Sequence, residues 1–172
     1  MKKTLALAVL LASGAYAENF TSGQTFIGLD LGYSKVKGYV DNGTDFVYED
    51  DSDIQYGFRI GAQSPEWRTT FIFDYYDNSD TDQSVDEYLL TIDYFLTEET
   101  STIRPYIGLN VGYANYEADD IDEGGIVYGG QLGFTVDLAQ QVNMDLSYRY
   151  STTDFDELDY IGGVMLGVNY KF

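Results

Sequence analysis

The 172-residue sequence predicts an all-β fold, an eight-stranded antiparallel up-and-down transmembrane β-barrel. Three observations predict it. After residue 17, apolar and polar residues alternate with period two through eight segments, the mark of strands whose two faces meet different surroundings. One parity carries in each segment a run of apolar positions, none of them charged. The other parity gathers arginines, carboxylates and ten of the 18 glycines, the latter in pairs four residues apart.

The segments follow in order. Segment 24–36 turns Ile27, Leu29, Leu31 and Tyr33 to the apolar side. Segment 54–63 adds Tyr56, Phe58, Ile60 and Ala62, and segment 67–76 adds Trp67, Thr69, Phe71, Phe73 and Tyr75. Segment 86–96 supplies Tyr88, Leu90, Ile92 and Tyr94, and segment 104–116 supplies Ile107, Leu109, Val111 and Tyr113. Segment 126–138 contributes Leu132, Phe134, Val136 and Leu138, and segment 142–151 contributes Val142, Met144, Leu146, Tyr148 and Tyr150. The last, 159–172, carries Val164, Leu166, Val168, Tyr170 and Phe172. The opposite parity holds Asp30, Arg59, Arg68, Asp74, Glu87, Asp93, Arg104, Asp137, Asp145, Arg149 and Lys171. Its glycine pairs are 28/32, 57/61, 108/112, 129/133 and 163/167.

Space decides which face points out. An eight-stranded barrel has room only for its own side chains or one small ligand, so the large apolar set cannot be packed inside it. Turned outward, that set meets lipid, the glycines relieve a crowded lumen and the opposite charges pair within. A Lys or Arg on the lipid face at mid-depth costs about 2–4 kcal/mol, which accounts for the absence of charge from these apolar runs. Closure also satisfies the backbone, as hydrocarbon requires. Connections read as short at 64–66, 97–103 and 139–141 and as longer at 37–53, 77–85, 117–125 and 152–158, the asymmetry of periplasmic turns and extracellular loops. Aromatics then sort by height. Tyr33, Tyr56, Tyr75, Tyr88, Tyr113, Tyr128, Tyr148, Tyr150 and Tyr160 form an upper girdle, and Trp67, Tyr94, Tyr170 and Phe172 a lower one.

The chain begins with Lys2 and Lys3, a short apolar run over 4–12 and Ala15-Tyr16-Ala17. This is the pattern of a secretory signal peptide cleaved after Ala17. The apolar run falls short of the roughly 20 residues a helical span needs. The expected organisation is therefore a signal peptide over 1–17 and a barrel over 18–172.

Composition excludes several functions. Nine Lys and Arg against 29 Asp and Glu give a net charge of −20, which argues against a nucleic-acid partner. The absence of Cys excludes disulfides and thiolate metal sites, and the absence of His excludes the common triads and most catalytic zinc sites.

Three stretches then carry a resemblance: Arg104-Pro105-Tyr106-Ile107-Gly108-Leu109-Asn110-Val111-Gly112-Tyr113, Asp145-Leu146-Ser147-Tyr148-Arg149-Tyr150 and the ending Gly167-Val168-Asn169-Tyr170-Lys171-Phe172. With them the chain resembles the small bacterial outer-membrane β-barrel family, similar to the transmembrane domain of outer membrane protein A and to the OmpX group. The resemblance implies residence in the outer membrane of a Gram-negative bacterium with both termini periplasmic. It implies contact with membrane lipid and lipopolysaccharide. It also implies recognition of Phe172, Tyr170, Val168 and Leu166 by the barrel assembly machinery. No peptidoglycan-binding domain follows Phe172 in this sequence, so a wall-tethering role finds no support.

Within the lumen, Arg59, Arg68, Arg104 and Arg149 stand against Asp30, Asp74, Glu87, Asp93, Asp137 and Asp145. A gated pore or proton path would use such a set, but buried charges need partners and eight strands leave no open channel. The expectation is an ion-paired plug. Acidic residues crowd the longer connections: Asp41, Asp45, Glu49, Asp50, Asp51 and Asp53; Asp77, Asp80 and Asp82; Glu117, Asp119, Asp120, Asp122 and Glu123; Asp154, Asp156 and Glu157. Asp80-x-Asp82-x-Ser84-x-Asp86 lacks the glycine and terminal Glu of a calcium-binding helix-loop-helix, and charge runs are usually solvated surface. The sequence thus assigns no catalytic, cofactor-binding or metal residue and expects a monomeric, non-enzymatic protein with a structural, envelope-integrity role. The alternatives are a surface adhesin or ligand-binding barrel acting through its loops, and a narrow low-conductance porin.

Overall fold

The computed structural model describes residues 23–41, 46–78, 83–118, 121–154 and 158–172, with side chains at 36–41, 46–51, 78, 83, 117–118, 121–123 and 158 left out. The expected signal peptide lies outside the described residues. Eight strands follow one another: β1 (Gln24–Asp41), β2 (Phe46–Gln63), β3 (Trp67–Asn78), β4 (Gln83–Phe95), β5 (Ile103–Ala118), β6 (Ile121–Ala139), β7 (Val142–Thr153) and β8 (Leu158–Lys171). Each pairs antiparallel with the next and β8 pairs with β1, closing the barrel. Closure is sealed at the end of the chain, where the Phe172 N–H donates to the Thr25 carbonyl at 2.8 Å. That places both described ends beside the connections at 64–66, 96–102 and 140–141.

All eight predicted segments are strands, and their inner-end limits agree to within about a residue. At the other end the strands run further than alternation indicated. β1 and β2 continue to the pair Asp41↔Phe46, and β5 and β6 to Ala118↔Ile121. Most of what the sequence suggested were long loops is therefore hairpin ladder, joined over 42–45, 79–82, 119–120 and 154–157. Inter-strand hydrogen bonds continue where the lipid stops, but an apolar face is no longer required there, so the period-two signal fades before the strand does. Two register shifts interrupt the ladders, at Lys37/Gly38 between β1 and β8 and at Asp137/Ala139 between β6 and β7.

The sheet is inverted relative to a soluble barrel. Leu29, Leu109 and Leu132 on the outside are 68, 74 and 61% exposed, whereas Asp93 and Asp145 on the inside are fully buried. Cross-strand rings line both rims, with Tyr56–Tyr75 at 5.5 Å and Tyr150–Tyr160 at 5.3 Å above, and Trp67–Tyr94 at 4.8 Å below. The lumen glycines make room for the charges. A Cβ on Gly57 would collide with Asp74, one on Gly108 with Asp93, and one on Gly167 with Arg59 and Asp30. Each collision is with a side chain on an adjoining strand or reaching across it, so these glycines are sockets for the ionic residues.

Two substitutions test the two faces. Leu29→Arg should destabilise the barrel in bilayers by about 2–4 kcal/mol, measured by denaturant unfolding in lipid vesicles. Gly167→Val should abolish the SDS-resistant, heat-modifiable form, because its target is packed ionic side chains and not lipid.

Candidate functional site

The lumen brings together the residues that the sequence nominated. Arg59, Arg68, Arg104, Arg149 and Lys171 are buried together with Asp30, Asp74, Glu87, Asp93 and Asp145, five cations with five carboxylates. Asp137 differs. It lies at the register shift beside the inner mouth, with its side chain 43% exposed, and pairs with Lys171 at 2.7 Å. It keeps the lumen parity, in register with the buried Asn143, and is part-exposed at the barrel's inner end.

Two rungs cross the barrel between β3 and β7, which stand four strands apart and run in the same direction. In the lower rung Arg68 Nη1 meets Asp145 Oδ2 at 2.6 Å, and in the upper rung Arg149 Nη1 meets Asp74 Oδ2 at 2.5 Å. The charge order is cation then carboxylate along β3, and carboxylate then cation along β7. Other contacts join the rungs. Arg68 Nε pairs with Asp93 at 2.8 Å, the Gln131 amide donates to Asp93 Oδ1 at 2.6 Å, and Arg149 Nε donates to Gln131 Oε1 at 3.4 Å. On the opposite flank Arg59 reaches Asp30 at 2.8 Å and Asp145 at 3.7 Å. The Tyr106 hydroxyl donates to Asp145 Oδ1 at 2.9 Å, and its ring lies 4.4 Å from the Arg68 guanidinium carbon. A continuous polar network thus ties together β1 to β7.

Two buried charges stand outside the ion pairing of the described residues. Arg104, at the inner mouth, donates to the Pro65 carbonyl at 2.5 Å and stacks on Phe95 with its guanidinium carbon 3.7 Å from the ring centre. Glu87 accepts from the Gln55 amide at 3.0 Å through Oε2, while its Oε1 has no hydrogen-bond donor. Gln55 in turn accepts from Ser34, and Glu87 lies directly across the ladder from Asp74.

Alternation alone missed the upper lumen. Ile72, Tyr76, Val85, Leu89, Ala114, Tyr116, Val127 and Ile161 form one buried apolar cluster on the same parity as the charges. The cluster is interleaved with the upper polar groups: Ile72 and Leu89 face each other one lumen position inward of Asp74 and Glu87, and Tyr76 stands opposite Gln55. The signal was present as an apolar run on both parities in Tyr88-Leu89-Leu90 and Phe71-Ile72-Phe73, which breaks strict alternation. Gln131 and Tyr106 were also missed, because neither is charged.

Most of the acidic side chains of the outer connections fall outside the described residues. Of those described, Asp154 accepts from the Ile126 N–H at 3.0 Å and Asp53 from the Ile54 N–H at 2.6 Å, both backbone-directed.

Removing one end of a rung leaves a buried charge without its partner, at about 3–5 kcal/mol. Arg149→Met alone should therefore destabilise by that order. The pair Arg149→Met with Asp74→Leu should recover most of the loss, read as a double-mutant cycle in urea unfolding. By contrast Glu87→Gln, which removes a charge that lacks a cation, should unfold no more readily than the parent.

A family model for the outer membrane protein β-barrel domain matches residues 4–172. Comparison with curated proteins finds no match. Among solved structures, Neisserial surface protein A superposes with a TM-score of 0.71 at 18% identity, covering 86% of this chain and 97% of that one. The solution structure of outer membrane protein H of Pseudomonas aeruginosa in DHPC micelles gives 0.61 at 19% identity, covering 87 and 99%. The attachment invasion locus protein of Yersinia pestis, in complex with the heparin analogue sucrose octasulfate, gives 0.50 at 17% identity, covering 87 and 99%. At these identities the likeness is one of fold.

Proposed function

Because the chain belongs to the outer membrane protein β-barrel family and so resides in the Gram-negative outer membrane, we propose that it serves as a closed structural barrel whose interior is a plug. The observation that carries this reading is the filled lumen: two ion-pair rungs cross it between β3 and β7, and a buried apolar cluster packs around and beyond the upper one. A hydrated ion would have to separate both rungs and displace the apolar side chains packed around the upper one, and each step is costly in a low-dielectric interior. The mature chain in this reading begins at Glu18 and works as a monomer. Its termini lie in the periplasm, and Phe172, in the final T-shaped pair with Tyr170, is presented to the assembly machinery. No catalytic step is assigned.

A second reading rests on charge. Segments 41–53, 77–86, 117–123 and 154–159 hold 19 of the 29 acidic residues and no Lys or Arg. If the outer hairpins bind a partner, that partner is cationic. An acidic surface repels polyanions such as the sucrose octasulfate held by the Yersinia protein, through the same Coulomb sign that would draw a basic protein in.

Planar-bilayer recording distinguishes plug from pore. The protein, refolded to its heat-modifiable form, should give no steady single-channel steps, and regular steps would overturn the plug. Detergent sensitivity of a strain lacking the protein separates the other two readings. A variant with its hairpin tips replaced by tight turns should restore resistance as well as the parent, and failure to do so would move the function to the hairpins.

A further inference from the structure

One glycine of β6 faces lipid and is crowded by a single barrel atom. The glycines of the lumen parity are explained by crowding, but Gly130 of β6 points outward, and a Cβ there would meet only the Gly108 carbonyl oxygen, at 3.2 Å. Gly130 sits in a register row with Leu109 of β5, Tyr150 of β7 and Gly162 of β8. The two outward glycines of that row differ in cover. Above Gly162 the Tyr150 ring comes to 3.4 Å and the Tyr148 hydroxyl to 3.5 Å of a Cβ position. Tyr150 also stacks on Tyr160, so it leans towards β8 and leaves Gly130 bare. Leu109 beside it is consequently 74% exposed, the most of the large apolar side chains among the described residues.

The gap is part of a groove of about 1050 Å³ that runs across the outer wall from Trp67 on β3 to Tyr150 on β7. Five strands at about 4.8 Å spacing give it a length of about 19 Å, enough for an extended fatty-acyl tail. Leu132 and Tyr148 form one rim, and Val111 and Tyr128 the other. The groove is continuous with the lipid-facing band, where water is excluded and an empty hollow forfeits dispersion contacts along its lining. Glycine within a strand often marks a bulge, a bend or a place where a ligand or another backbone comes close, and at Gly130 the absent side chain deepens the groove.

We infer that the groove over Gly130 is a binding site for one acyl chain of a membrane lipid. The chain lies along the Ile92–Leu109–Gly130 floor and is stopped by the Tyr150 ring. The inference rests on membrane residence and is independent of whether the lumen is plugged.

The test is native mass spectrometry of the refolded full chain in detergent micelles titrated with hexa-acylated lipid A. The parent should hold one lipid in a saturable manner. Gly130→Leu, which fills the gap from its floor, and Leu109→Trp, which lays a ring over it, should each weaken retention by about ten-fold. Gly162→Ala, at the covered glycine, should retain the lipid as the parent does. Heat-modifiable migration checks that each variant is folded, and because the two filling variants act from different strands, either alone decides the result. Equal retention in all variants, or no saturable adduct in the parent, overturns the inference. A dimer that the filling variants abolish would assign the groove to a second barrel and overturn it as well.

Discussion

Charge inside this barrel has to be matched across a space no wider than two side chains placed end to end. Buried ion pairs approximately break even against the cost of stripping water from both partners, so their number says little about stability. Their arrangement says more. β3 presents Arg68 then Asp74, and β7, running the same way, presents Asp145 then Arg149. Only one stagger of the two strands makes both rungs attractive. Sliding β7 by four residues would bring Arg149 to the level of Arg68 and set like charges against each other. A slip of one residue would send every charge into lipid. The rungs thus select a register that the uniformly apolar outer face cannot, since lipid is indifferent to which Leu or Ile it meets.

The glycines follow from the same geometry. A guanidinium reaching across the lumen needs its neighbours to be small where its stem leaves the wall. Gly28 lies beside Arg59, Gly163 beside Arg149, and Gly167 between Asp30 and Asp145 on the two adjoining strands. Glycine in a strand interior ordinarily weakens it. Here a methyl group at Gly57 or Gly108 would occupy the position of a paired carboxylate. The charged and glycine positions therefore form a single device, a strut and its socket, placed on neighbouring strands and separated by tens of residues in sequence.

That separation explains what was legible in advance. The strands, their inward and outward faces and the sign balance of the lumen all follow from alternation, which is local. Partner choice is not local: the pairing of Arg68 with Asp145 depends on closure bringing β3 opposite β7. Asp137 sits on the parity that alternation assigned to it, and its 43% exposure accompanies its place at the inner mouth, which alternation does not report. The apolar cluster was hidden by its chemistry. Leu89 and Ile72 read as lipid-facing residues out of phase, whereas Gln131 and Tyr106 carry no charge to mark them as members of an ionic network. The strand extensions above the tyrosine girdle were hidden because backbone pairing by itself leaves no hydropathy signature.

The mixed filling of the lumen bears on why the interior is ionic at all. An entirely apolar filling would exclude ions equally well and avoid the desolvation of ten charged groups. It would also make the inner face chemically similar to the outer one, and a sheet apolar on both faces has no preferred side to turn to lipid. Placing charge on one parity makes the inverted arrangement unique, since Arg59, Asp93 and Asp145 are tolerable only where they find each other. The apolar cluster on the same parity does not undo this, because Ile72 and Leu89 share their strands with Arg68, Asp74, Glu87 and Asp93, whose charges fix the inward face. The ionic core is thus best understood as the element that tells the chain which way to close, and the sealed lumen follows from that closure.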